Sequence, residues 1–219
     1  MKRLLIIFLM AAVMLCGCSQ PQTKETFKNK ASSGVWFSFS EINTMLKSEK
    51  GFKAEVDLAV ENCKKLKIEN VYIHIRAFCD SLFVSDYFPL IDEAKDLGFD
   101  AFEYILEAFH NENIKVHAWI NPYRVSTTSE DINELNPESP AYKWLKDDNE
   151  ENDRNVCFAN GIYLNPAESE ARALVINGVR EVIEKYQIDG VHFDDYFYPT
   201  TASEFDLISY EEYRGNTEN

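Results

Sequence analysis

The chain is 219 residues long, sets 37 Asp and Glu against 22 Lys and Arg, and carries a formal net charge of −15. That excess of acid argues against nucleic acid or any other polyanion held by charge. With 45% hydrophobic and 13% aromatic residues, there is ample side chain for a packed core.

The first residues read as an address. Met1-Lys2-Arg3 is a short positive region, followed by an apolar run over residues 4–15 that is too short to span a bilayer. Leu15-Cys16-Gly17-Cys18 resembles a bacterial lipobox. By that resemblance, residues 1–17 are a signal peptide and Cys18 is the lipidated first residue of the mature protein. Acyl chains there would anchor the protein to the outer face of a membrane without spanning it. Residues 18–33 are polar, contain Pro21 and read as a flexible tether. Cys63, Cys79 and Cys157 have no zinc-ligand spacing with another Cys or His, and no cysteine stands out as a nucleophile. The acidic run at 147–153 lacks the glycine and the spacing of a calcium loop, so no metal is expected.

Residues 34–40, GVWFSFS, alternate as a first strand, with Trp36 on one face and Glu41 at the carboxyl end. A helix is expected over 52–67, with Phe52, Val56, Ala59, Val60, Cys63 and Leu66 on one face. The second strand, 71–75, points Val71, Ile73 and Ile75 one way and Tyr72, His74 and Arg76 the other. After a loop over 77–99, Asp100 with Glu103 reads as a capping box, and Phe102, Ile105, Leu106 and Phe109 form the stripe of a second helix. The third strand, 115–121, places His117, Trp119 and Asn121 on one face and ends at Pro122-Tyr123-Arg124. Residues 125–164 are a long irregular stretch, and a loop of that length is usually functional or mobile. A third helix is expected with Asn165 as cap, Pro166 at its first position and Glu168 at its third. Its buried stripe would run through Ala171, Leu174, Val175, Val179, Val182, Ile183 and Tyr186. Asp189-Gly190 then turns into a fourth strand, Val191-His192-Phe193-Asp194, which ends in Asp195, Tyr196, Phe197 and Tyr198.

The order β-α-β-α-β-α-β demands a parallel sheet, in a (β/α) barrel or an open doubly wound sheet. No Gly-rich nucleotide loop follows the first strand, which counts against a dinucleotide fold, and no cofactor is expected. Strands buried on both sides should be apolar on both. Here Arg76, Asn121 and Asp194 each end a strand, with His74, Trp119 and His192 two positions earlier. Any one of the histidines would pass as an ordinary hydrogen-bonded core residue. Together, in register, they suggest strands converging on one pocket, as in a barrel.

At 117–125, HAWINPYRV, and 189–199, DGVHFDDYFYP, the chain resembles the glycosyl-hydrolase-like family 10 domain of bacterial envelope lipoproteins. The resemblance extends over about 34–213 and implies a TIM-barrel glycoside hydrolase, some members of which act on peptidoglycan glycan strands. Four strands account for all of 34–219, where a TIM barrel takes about 250 residues for eight. The fold expected is therefore the amino-terminal half of a TIM (β/α)8 barrel. A half-barrel exposes two raw sheet edges, and is expected to be unstable alone unless it dimerises or the protein is longer. Glycoside hydrolysis usually needs two carboxyl groups. Asp194 is the expected nucleophile or charge stabiliser. Asp195 is a possible catalytic partner if the loop turns it inward, Glu41 is an outside candidate, and otherwise the second group is expected from the other half of the barrel. His74, Arg76, His117, Asn121, Tyr123, Arg124 and His192 would bind the sugar, with Trp36, Trp119, Tyr196 and Tyr198 stacking on it. The alternatives are a glycan-binding lipoprotein without chemistry, or an inactive fragment.

Overall fold

A computed structural model describes residues 32–217, with side chains to Gly215. The signal peptide, Cys18 and nearly all of the tether lie outside the described residues.

Four parallel strands form the main sheet: β1 (Gly34–Phe37), β2 (Asn70–Arg76), β3 (Lys115–Ile120) and, last in the chain, β7 (Gly190–Phe193). They stand side by side in chain order, with β1 and β7 at the edges. Helices α2 (Glu49–Leu66), α3 (Ala101–His110) and α5 (Ser169–Lys185) provide the crossovers. This is an α/β fold with the strand order of four consecutive barrel units.

The core lies between the sheet and these helices. Val71, Ile73, Val116 and Ala118 face Phe52, Val56, Phe102, Phe109 and Val182, all of them buried. Alternation along β2 and β3 sends these residues to the helices and leaves Tyr72, His74, His117 and Trp119 on the opposite face. The periodicity of α2 and α3 predicts their buried faces, except that Leu66, in the last turn of α2, is 72% exposed. Asp100 caps α3 as expected, accepting from the N–H groups of Phe102 and Glu103 at 2.9 and 3.0 Å.

Other departures have identifiable causes. The strand expected over 34–40 stops at Phe37, and a short helix α1 (Phe39–Met45) follows. Ser38 and Glu41 form a reciprocal capping box that starts this helix. The third crossover helix begins at Ser169, not at Pro166. Asn165 closes a turn instead, accepting from the Ala167 N–H at 3.0 Å, while Glu168 takes the cap position without a side-chain bond. Ile183, expected in the buried stripe, is exposed.

The stretch 125–164 is not irregular. It holds β4 (Arg124–Ser126), α4 (Pro140–Lys146), β5 (Val156–Phe158) and β6 (Ile162–Leu164). The three strands make an antiparallel sheet of order β4-β6-β5, packed over a second core that includes Val125, Ala141, Ile162, Leu164 and Leu174. The described chain ends with α6 (Leu207–Thr217).

Candidate active site

The concave face opposite the helices is built from rings in register. In the layer nearer the strand starts, Trp36, Tyr72, His117 and Gly190 are paired across all four strands. Trp36 stacks on Tyr72 with centroids 4.4 Å apart, and Tyr72 stacks on His117 at 4.8 Å. The fourth place has to be glycine: a Cβ on Gly190 would lie 2.6 Å from His117 Nδ1. His117 Nε2 and Asn70 Oδ1 are 3.0 Å apart, which sets the ring's angle. Tyr72 is the centre of this stack. It was not among the expected binding residues, although the alternation of NVYIHIR places it on the same face as His74.

The next layer pairs His74, Trp119 and His192. His74 lies flat on Trp119, with centroids 3.9 Å apart and 7° between planes. His74 is buried and accepts from the Phe39 N–H at 3.4 Å. Burial, and then the charge of Arg124, push its pKa down to about 4, against the opposing pull of Asn121 and Asp194. It is therefore a neutral ring at pH 7. Burial also lowers the pKa of His117, with Asp189 opposing.

Above these layers stands the rim. Asn121 and Asp194 continue the ladder, with Asn121 N–H bonded to Arg76 O at 2.9 Å and Asp194 N–H to Ile120 O at 3.1 Å. By strand parity both fall on the ring-bearing face, as the sequence predicts. Asn121 is buried and also donates from Nδ2 to Ala77 O at 3.3 Å. Asp195 leaves the strand with φ +47°, in the left-handed region, and its carboxylate pairs with Arg124. The turn therefore keeps Asp195 at the rim, rather than on the helix side where strict alternation would send it.

Arg76 does not reach this face. The pairing slips between His74 and Arg76, so that Arg76 stands opposite Ile120, whose side chain faces the helices. The bulge flips the parity of Arg76. Arg76 is 2% exposed, and its guanidinium lies 3.7 Å from the Phe88 ring centroid and would touch a Cβ placed on Gly178 of α5. Burial lowers its pKa to about 10. Glu41 is likewise occupied, its Oε2 accepting from Ser38 N–H at 2.9 Å and Ser38 Oγ at 2.7 Å.

Two clefts flank the rim. One, of about 470 Å3, borders His74 and includes Phe78 and Asp80. The other, of about 590 Å3, gathers Tyr123, Tyr196 and Tyr198 with Tyr163 and Phe205. Trp36, Tyr196 and Tyr198 are exposed.

This geometry can be set beside known proteins. Among solved structures, the chain is similar to alpha-L-fucosidase isoenzyme 2 from Paenibacillus thiaminolyticus, with a TM-score of 0.53 and 16% identity over 84% of this chain and 26% of that one. That likeness concerns the fold, and it agrees with part of a TIM barrel. Glycosyl hydrolase YngK of Bacillus subtilis (strain 168) is 32% identical over 195 residues, covering 82% of this chain and 36% of its own length. Glycosyl hydrolase DigH of Escherichia coli (strain K12) is 30% identical over 149 residues, covering 64% of this chain and 33% of its own length. The chain thus spans about a third of the length of the curated relatives it matches. The family model described as Glycosyl hydrolase-like 10 matches residues 32–219, and the chain belongs to that family.

Proposed function

We propose that this chain carries the sugar-handling face of a glycoside hydrolase acting on a cell-envelope or extracellular glycan, with peptidoglycan strands as the substrate class. The observation that carries the reading is the concave ladder of rings with Asp194 and Asn121 at its carboxyl-end rim. Flat aromatic faces pack against the C–H face of a pyranose, while neutral imidazoles and amides satisfy its hydroxyls. In this reading Asp194 is the nucleophile, or the anion that stabilises an oxocarbenium-like transition state. His192 and Trp119 form the floor beneath it, and Tyr123, Tyr196 and Tyr198 extend the binding surface. The leader motif supports lipid anchoring at Cys18, which would hold this face near an envelope glycan. Release of new reducing ends from peptidoglycan glycan strands, compared between the wild type and Asp194→Asn, tests the reading.

One observation favours a second reading, a glycan binder without chemistry. The two expected carboxylate partners of Asp194 are engaged, Glu41 in its helix cap and Asp195 with Arg124. That reading predicts saturable binding and no new reducing ends.

A further inference from the structure

We infer that Asp195 is a positioning residue rather than a reacting one: anchored by Arg124, it fixes the peptide that holds the Asp194 carboxylate. The inference rests on the reading of Asp194 given above.

Three features of the backbone and side chains support it. First, the left-handed conformation at Asp195 is unfavourable for an L-residue, least so for Asp and Asn. Something must hold it, and the ion pair to Arg124 does so with both side chains mostly shielded from water. Second, the N–H of Asp195 donates to Asp194 Oδ1 at 2.8 Å. That bond occupies one oxygen of Asp194, limits rotation of its carboxylate and leaves the other oxygen for the sugar. Third, Arg124 is itself pinned. It opens β4, pairs with Tyr163 of β6, and follows Tyr123, whose carbonyl accepts from Leu164 N–H at 2.7 Å. The antiparallel excursion between β3 and α5 thus delivers one cation to the rim. The charge of Arg124 also reaches Asp194, but the direct ion pair is made with Asp195, which leaves Asp194 the carboxylate without a guanidinium bound to it.

The conservative variant separates positioning from chemistry. Asp195→Asn keeps the tolerance for left-handed backbone and an oxygen that Arg124 can bind. On peptidoglycan glycan strands, read as new reducing ends, Asp195→Asn loses no more than about tenfold in kcat. Asp195→Ala and Arg124→Gln lose about a hundredfold in kcat with KM within about threefold, the scale of a misplaced reacting group. An Asp195→Asn variant as inactive as Asp194→Asn would overturn the inference. A second readout does not depend on turnover. In 15N-edited NMR, the Asp195 amide proton should move as the Asp194 carboxylate titrates in the wild type and in Asp195→Asn, and cease to do so in Arg124→Gln and Asp195→Ala. An amide that ignores Asp194 in the wild type, or still follows it in Arg124→Gln, rejects the positioning role. Absence of new reducing ends from the wild type, while the amide behaves as expected, instead rejects the glycosidase reading alone.

Discussion

Trp36 Nε1 donates to His192 Nε2 across 3.3 Å, although Trp36 is on the first strand and His192 on the last, with two strands between them. In a flat sheet those strands would lie about 14 Å apart with parallel side chains. The contact requires a sheet curled towards this face, as a barrel wall is. A double-mutant cycle with Trp36→Phe and His192→Phe, followed by urea unfolding, should give a coupling energy of about 0.5–1 kcal/mol. A coupling of zero would mean that the two rings do not meet in solution.

His74 makes stability depend on pH. Its folded-state pKa, about 4, lies below the ordinary 6.5, so between those values the unfolded chain binds more protons. Its neutral form stabilises the fold fully above about pH 6.5, and that contribution is lost as pH falls towards 4. The loss is on the order of 3 kcal/mol at most. His74→Phe keeps the stack on Trp119 and removes the titration. Urea midpoints between pH 7.5 and 4 should fall less steeply for the variant than for the wild type. Parallel curves would contradict the assignment.

Glu41 acts as a cap. Glu41→Ala should destabilise the chain by about 1 kcal/mol by opening the box at the start of α1. If glycan cleavage collapsed in that variant while the fold held, Glu41 would return as a candidate acid.

Gly190 makes room for His117. Gly190→Ala forces the imidazole off its seat and away from Asn70. An overpacked site of this kind costs about 1–3 kcal/mol. Unchanged thermal unfolding in Gly190→Ala would show that the stack is looser than the register implies.

What the sequence could reveal follows from the size of each signal. The period-two pattern of NVYIHIR and KVHAWIN made the ring-bearing face legible, because helices cover only the other face. Amphipathic spacing in α2 and α3 revealed the buried stripes over most of their length. The bulge before Arg76 is a single-residue slip, invisible in a pattern whose period it does not change, yet it reverses one side chain. The strands of the antiparallel excursion are three residues each, too short for any periodicity to register. Ser38-Phe39-Ser40-Glu41 had the spacing of a capping box, but the aromatic alternation of the same residues read as strand. The stacking partnership of Trp36, Tyr72 and His117 depends on strand register, which only the fold supplies.

The most direct measurement is the rate of reducing-end release from peptidoglycan glycan strands by the wild type and by Asp194→Asn at matched folded concentration. The account predicts measurable turnover by the wild type and a loss of about a thousandfold or more in the variant, as expected when a reacting carboxylate is neutralised. Turnover by Asp194→Asn within about tenfold of the wild type would contradict it.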